Sequence, residues 1–152
     1  MKHRFLLDEN IFIFAVTGKE PRGADDPTSG DLVRSIAGNC HQIILNLALC
    51  KRYWPKIKAL ERSGLASQEM VSLVAQLLSK PEKTYWEHGD PPELPAGVRI
   101  PEKDKLIVRS ALGSEIPIVT TDEPLWQAIN SQRVLGLRAL TPAEALVLAR
   151  ET

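Results

Sequence analysis

Three aspartates stand where secondary-structure elements could bring their carboxylates together. Asp8 directly follows a short apolar run, Asp122 follows a second one at 116–120, and Asp104 lies in the first turn of a helix predicted over 102–112. In open parallel α/β sheets, sites form beyond the carboxyl ends of the strands. Carboxylates gathered there raise one another's pKa, so such a cluster usually holds a hard cation. Mg²⁺ or Mn²⁺ held in this way can activate a water molecule and neutralise charge on a phosphate.

The same acids also have a purely structural interpretation. Asp8 and Asp122 each precede a predicted helix, where an aspartate commonly caps the first turn. Asp104 could complement the dipole of its own helix. The spacing alone leaves a metal site and three separate helix starts as open alternatives.

Strands and helices alternate along the chain. This alternation predicts parallel β-α-β units in a three-layer α/β/α fold around a central parallel sheet. The length of 152 residues fits one domain over 1–152. The predicted strands cover residues 5–7, 41–45, 84–88, 116–120 and 134–140.

Several local signals refine this outline. Residues 18–30 are rich in Gly, Pro, Asp and Lys and predict a surface loop, with a helix over 31–37. Pro55 predicts a break or a kink near residues 53–54 in the helix that Asn46 begins. Pro117 predicts that its strand lies at an edge or that the proline lies at an end of it. Thr141-Pro142-Ala143-Glu144 has the pattern of a capping box.

Composition and charge exclude several classes of protein. The chain is 43% hydrophobic and 25% charged, which excludes a disordered segment. Lys+Arg 19 balances Asp+Glu 19, so any contact with nucleic acid must be local. No apolar run could cross a bilayer, and the first residues do not form a secretory signal. With only two cysteines, Cys40 and Cys50, we expect a reduced cytoplasmic protein without a disulfide framework.

Basic residues cluster in the helix that follows the second strand. This cluster is either a solvated helix face or a patch that contacts phosphates. The three tryptophans are scattered, and we expect them to be packing anchors. Nucleotide-binding glycine motifs and Cys-x-x-Cys pairs are absent from the sequence. The basic residues are Lys51, Arg52, Lys56, Lys58 and Arg62.

Three segments, 6–13, 104–111 and 118–125, resemble the motifs of PIN domains. They read LLDENIFI, DKLIVRSA and IVTTDEPL, and their order and spacing resemble a small prokaryotic PIN protein over almost the whole chain. PIN proteins are typically Mg²⁺- or Mn²⁺-dependent ribonucleases, and many are toxins of toxin–antitoxin pairs. The resemblance therefore implies a ribonuclease that acts on RNA, with an antitoxin protein as partner and a homodimeric state. The implied catalytic and metal-binding residues are Asp8, Asp104 and Asp122, with Asn10 supporting them.

One position departs from the family pattern. PIN domains usually carry a glutamate in a pattern like L-L-x-E-Y, and the matching stretch here, 47–53, has Arg52 at that position. Glu61 is nine residues further on, which places it on the opposite side of an unbroken helix. Because arginine stays protonated and forms bidentate bonds with carboxylates, Arg52 could pair with Asp8 or Asp104 and fill the space of a cation.

Two functions remain open at this point. One is a metal-dependent endoribonuclease whose Mg²⁺ or Mn²⁺ site is weakened by Arg52. The other is a catalytically degenerate PIN domain that binds RNA or a protein partner without cleavage. In that case Lys51, Arg52 and Lys56 would contact phosphate.

Overall fold

Five short parallel strands form one sheet in the order β3-β2-β1-β4-β5. The computed structural model describes residues 2–20, 22–114 and 116–151. Every neighbouring pair of strands is parallel. This confirms the parallel α/β fold predicted from the alternating elements. The strands are β1 (Arg4–Leu7), β2 (Gln42–Leu45), β3 (Thr84–Trp86), β4 (Ile118–Val119) and β5 (Ala139–Leu140).

Helices cover both faces of the sheet and complete the three layers. With the right-handed crossovers usual for parallel strands, this strand order puts the helices between β1 and β3 on one face and those between β3 and β5 on the other. The last helix returns to pack against the second one. In the described part of the chain, no helix is long and apolar enough to cross a membrane. The helices are α1 (Glu9–Thr17), α2 (Thr28–Gly38), α3 (Leu47–Ser63), α4 (Gln68–Ser79), α5 (Lys105–Ser114), α6 (Glu123–Ser131) and α7 (Pro142–Arg150).

The central strand β1 carries the first aspartate to the edge of the sheet. Phe5, Leu6 and Leu7 are buried because β1 is covered on both faces and paired on both sides. The ladder continues one residue past the strand, since the amide of Asp8 donates to the carbonyl of Val119 at 2.9 Å. Asp8 therefore lies at the carboxyl edge of the sheet, as the sequence predicts.

Of the break or kink predicted at Pro55, the break is wrong, because α3 continues through this residue. A proline inside a helix leaves the carbonyl four residues earlier without its usual partner. Here both Pro55 and Lys51 are exposed, so water can solvate the freed carbonyl. The buried face of the helix, which includes Tyr53 and Ile57, stays intact and holds it on the core. Glu61 is exposed on this unbroken helix.

The last two strands are shorter than predicted. β4 is an interior strand, and Pro117 precedes it and accepts a hydrogen bond from the amide of Leu6 through its carbonyl (3.0 Å). The proline thus lies at a strand end, and the edge alternative is wrong. Residues 134–138 are not a strand either. A 3₁₀ turn, Arg133–Leu135, ends at Gly136 in the left-handed region (φ 64°), and pairing begins only at Ala139.

Two helices begin differently from the prediction. α2 starts at Thr28 and not at 31, because Oδ1 of Asp26 accepts hydrogen bonds from the amide and the hydroxyl of Thr28 (2.9 and 2.6 Å). The predicted helix over 102–112 is a 3₁₀ turn, Glu102–Asp104, followed by α5, which runs past Gly113. The capping box at Thr141 and Glu144 is present as predicted.

Candidate functional site

Asp8 is a buried carboxylate at the end of β1. Its side chain is almost sealed from solvent, with the residue 4% exposed. Although Asp8 holds the N-cap position of α1, its side chain makes no capping hydrogen bond. Burial, with the charges of Glu9 and Asp104 adding to it, raises the pKa of the Asp8 carboxyl to about 6. The capping interpretation of Asp8 therefore fails, and its carboxylate is available for another role.

Thr120 connects the first and last aspartates. Its hydroxyl donates to Oδ2 of Asp8 at 2.8 Å and accepts from the backbone amide of Asp122 at 3.0 Å. Thr120 is itself buried at the end of β4, so the hydroxyl has little freedom to turn away. This hydrogen bond opposes the effect of burial and lowers the pKa of Asp8. It also fixes the direction in which one oxygen of Asp8 points.

Asp104 is the second buried carboxylate at this edge. It closes the 3₁₀ turn that precedes α5, and its amide donates to the carbonyl of Pro101 at 2.9 Å. The residue is only 6% exposed, and its buried Oδ2 atom has no hydrogen-bond partner among the described residues. Burial is the main cause that raises the pKa of this carboxyl, followed by the charge of Asp122. A buried carboxylate oxygen without a partner is costly unless something else binds it.

Asp122 has a structural role that the sequence also predicts. Its Oδ1 atom caps α6 by accepting a hydrogen bond from the amide of Leu125 at 3.2 Å. Its Oδ2 atom lies 3.5 Å from Nζ of Lys103, and the Asp122 side chain is 17% exposed. One oxygen is therefore committed to the helix, and the other meets a lysine that is free to move in solvent.

The three aspartates share one electrostatic neighbourhood. The charge of Asp104 raises the pKa of Asp8, and the charge of Asp122 raises the pKa of Asp104. Within the residues that the structure describes, however, no group of three or more His, Cys, Asp or Glu side chains could hold a metal ion as it stands. The acids are near enough to interact through their charges, and their oxygens do not surround a common point.

Arg52 lies beside this cluster on α3. Its Nη1 atom donates to the backbone carbonyl of Lys103 at 2.9 Å, and its charge lowers the pKa of Asp104. Among the described residues, Arg52 forms no ion pair within 4.0 Å with Asp8 or with Asp104. The guanidinium thus stabilises the turn that carries Asp104 and supplies positive charge without forming an ion pair with either aspartate.

Of the other predicted site residues, one forms an ion pair beside the acidic cluster and two form no polar side-chain contact with the described residues. Lys56 pairs with Glu9 at 2.8 Å, which brings a further acid and a further base to the edge. The side chain of Lys51 is exposed and makes no hydrogen bond or ion pair with any residue in the described ranges. Asn10 is half-buried in the first turn of α1, and its side chain likewise has no polar partner among those residues.

Tyr53 fixes α3 against the end of β1. Its hydroxyl donates to the carbonyl of Leu7 at 2.5 Å, and its ring packs on Phe12 with 4.9 Å between ring centroids. The side chain is fully buried, and this burial raises the pKa of its phenol well above the usual value. Because Leu7 directly precedes Asp8, this contact sets the distance between the Arg52 helix and the acidic edge.

Sequence reasoning missed three of the residues that shape this edge. Thr120 lies in the same segment as Asp122. Its position at the end of a predicted strand is the feature of the sequence that could have identified it as a site residue. Lys103 directly precedes Asp104, but its pairing with Asp122 depends on the 3₁₀ turn. Glu9 follows Asp8, and its pairing with Lys56 depends on how α1 and α3 pack.

Comparisons with known proteins give a distant structural likeness. No family model and no curated protein sequence matches this chain. The structure is similar to a PilT N-terminus (PIN) domain protein from the hyperthermophilic archaeon Sulfolobus solfataricus P2, with 12% sequence identity and a TM-score of 0.45. The alignment covers 98% of this chain and 95% of that one.

Proposed function

We propose that this protein is a PIN-type endoribonuclease that uses a weakly held Mg²⁺ or Mn²⁺ ion to cleave RNA phosphodiester bonds. The observation that carries the proposal is a pair of buried carboxylates at the carboxyl edge of the parallel sheet, in which the charge of Asp104 raises the pKa of Asp8 and the charge of Asp122 raises the pKa of Asp104. The motif resemblance of the same three positions supports it.

The donor set fits a hard divalent cation. Carboxylate oxygens are the preferred ligands of Mg²⁺ and Mn²⁺, and the unpartnered Oδ2 of Asp104 is an oxygen that a cation would satisfy. Asp8 has one oxygen held by Thr120, and its other oxygen would be the metal ligand. When bound, such an ion would neutralise phosphate charge and make a coordinated water more acidic.

The neighbouring basic side chains explain why the binding of the divalent ion would be weak. Lys103 has to leave Oδ2 of Asp122 before that oxygen can act as a ligand, and Arg52 adds a positive charge beside Asp104. Carboxyl groups with raised pKa values must also lose their protons before they bind a metal. We therefore expect activity to require a high concentration of the divalent ion and to increase between pH 5 and pH 7.

The test is cleavage of a mixed-sequence single-stranded RNA with Mg²⁺ or Mn²⁺. The wild type should produce fragments, EDTA should abolish them, and Asp8→Asn should reduce the rate at least a hundredfold. Asp90→Asn, which makes the same change at an exposed loop residue, should retain full activity. Cleavage that persists in Asp8→Asn would point to a contaminating nuclease and contradict the proposal.

A second function is favoured by one observation, which is that basic side chains lie around the acidic residues. Arg52, Lys56 and Lys103 neutralise much of the cluster, as expected of a domain that binds RNA or a protein partner without cutting. Such a module would show RNA affinity that falls steeply with salt and no products at any metal concentration. The absence of both cleavage and RNA binding would leave a protein partner, an antitoxin among them, as the remaining alternative.

A further inference from the structure

A cavity of about 450 Å³ opens beside the acidic edge and shares Thr120 and Asp122 with it. Its volume lies in the range of roughly 300–1,000 Å³ that is typical of small-molecule pockets. It lies outside the group of Asp8, Asp104 and Arg52, none of which lines it. A ligand in this cavity would therefore contact the candidate site without occupying it.

The cavity wall is mainly apolar and includes two aromatic side chains. Phe14 of α1 and Trp126 of α6 are both half-buried and line the cavity, together with Pro142 and Ala143 at the start of α7. An aromatic wall of this kind favours a flat, uncharged ring, because a base that stacks on an aromatic side chain contributes about 1–3 kcal/mol. Trp126 is thus more than the packing anchor that the sequence predicts.

The charged groups of the cavity are chiefly carboxylates. Glu20 makes no side-chain hydrogen bond or ion pair with any residue that the structure describes. Asp26 uses Oδ1 to hold Thr28, and no hydrogen bond to its Oδ2 is found within the described ranges. Lys19, the basic residue of the wall, pairs with Asp25. Ionised carboxylates accept hydrogen bonds only, so the complementary ligand presents N–H donors and no negative charge at this depth.

We propose that this cavity binds one nucleobase of a single-stranded RNA and prefers a base with an exocyclic amino group, cytosine or adenine, over its carbonyl counterpart. Stacking on Trp126 would hold the ring, and a carboxylate of Glu20 or Asp26 would accept the amino hydrogen bond, as acidic side chains do from the amino group of cytosine. The neighbouring phosphate would then lie towards Asp122 and the acidic edge. This inference rests on the proposed function for its choice of RNA, and it adds a sequence preference.

The direct test uses uncharged nucleosides in matched pairs, cytidine against uridine and adenosine against inosine. Each is titrated in EDTA while the indole ¹H–¹⁵N resonance of Trp126 is followed, with that signal assigned by its loss in Trp126→Leu. We expect the amino-bearing member of each pair to bind at least fivefold more tightly. Either Glu20→Gln or Asp26→Asn should reduce that preference, according to which carboxylate accepts the amino group. Ala143→Leu, which fills the cavity from an exposed position, should abolish the binding.

The matched control is Trp86→Leu, which removes an exposed tryptophan of β3 and should leave the affinity unchanged. Equal affinities within both pairs, or shifts that persist in Ala143→Leu, would overturn the inference. Because these titrations need neither metal nor cleavage, they separate the cavity from the nuclease. RNA cleavage with no effect of Ala143→Leu on base preference would retain the proposed function and refute the base pocket.

Discussion

The hydroxyl of Thr120 donates a hydrogen bond of 2.8 Å to Oδ2 of Asp8 across the boundary between β4 and β1. The two residues are 112 positions apart in the chain, and parallel pairing of the two strands makes them neighbours. The same hydroxyl accepts from the amide of Asp122, so a single neutral group orients one acid and the backbone of another.

Removing this hydroxyl should weaken catalysis without unfolding the protein. Thr120→Val keeps the shape of the side chain and leaves Oδ2 of Asp8 without its donor, so we expect the cleavage rate to fall about tenfold, equivalent to ~1.4 kcal/mol. Since the hydrogen bond lowers the pKa of Asp8, its loss should shift the acid limb of the pH–rate profile to higher pH. Thr120→Ser should restore both the rate and the profile, and an unchanged profile in Thr120→Val would contradict the positioning role.

The ionised form of Asp8 should destabilise the fold. The pKa of its carboxyl is about 6 in the folded protein, against an ordinary value of 3.8, so the folded state holds a proton that the unfolded state releases between these values. Stability from this group is therefore present at low pH and is lost as the pH rises through about 6. Asp8→Asn, which stays neutral, should raise the free energy of unfolding at pH 8 by about 1–3 kcal/mol.

The measurement is urea unfolding in EDTA at pH 4.5 and at pH 8. The gain of Asp8→Asn should be largest at pH 8 and should shrink at pH 4.5, where wild-type Asp8 is mostly protonated. Asp90→Asn serves as the exposed counterpart and should show no such difference. A pH-independent effect of Asp8→Asn would mean that burial does not perturb this carboxyl.

Tyr53 should contribute to stability through its hydroxyl. In Tyr53→Phe, the carbonyl of Leu7 would lose the donor at 2.5 Å inside a core that water does not reach. We expect the free energy of unfolding to fall by about 1–3 kcal/mol, the usual cost of a buried polar group left unpaired. Tyr85→Phe, at a residue 39% exposed on β3, should change stability little. Similar losses in both variants would argue against a special role for the contact between Tyr53 and Leu7.

The architecture could be predicted from the sequence because its signals are local. The alternation of apolar runs and helical patterns predicts the parallel sheet, and the run before Asp8 predicts its place at the sheet edge. The lengths of β4 and β5 could not be predicted, because a two-residue strand is defined by its neighbours and not by its own composition. The effect of Pro55 depended on the exposure of Lys51, which only the packing of α3 reveals.

The candidate site was predictable to the same extent. Asp8 and Asp122 could be placed from the strand before each of them and Asp104 from the helix that it begins, whereas the surrounding charges depend on tertiary geometry. Lys103 neutralises Asp122 because a 3₁₀ turn directs it there, and Arg52 bonds to a backbone carbonyl where the sequence predicted a carboxylate. The cavity beside Trp126 is formed by α1, the loop that leads to α2, the start of α2, and segments at the starts of α6 and α7, so no single stretch of sequence could indicate it.

Reversing the charge of Arg52 should strengthen the metal site. Arg52→Glu removes the cation whose charge lowers the pKa of Asp104 and adds a carboxylate from α3 to the three aspartates. More oxygen ligands and less positive charge both favour a divalent ion, so calorimetric titration should show Mn²⁺ binding at least tenfold tighter than in the wild type.

The loss of the hydrogen bond to the carbonyl of Lys103 should also loosen the turn that carries Asp104, which a separate Arg52→Gln variant would reveal. Lys51→Glu makes the same charge change one residue away on the exposed surface and should leave the affinity within about twofold. If the wild type already binds Mn²⁺ tightly and neither Arg52 variant alters the affinity, Arg52 does not influence the site, and its place in the motif carries no functional meaning.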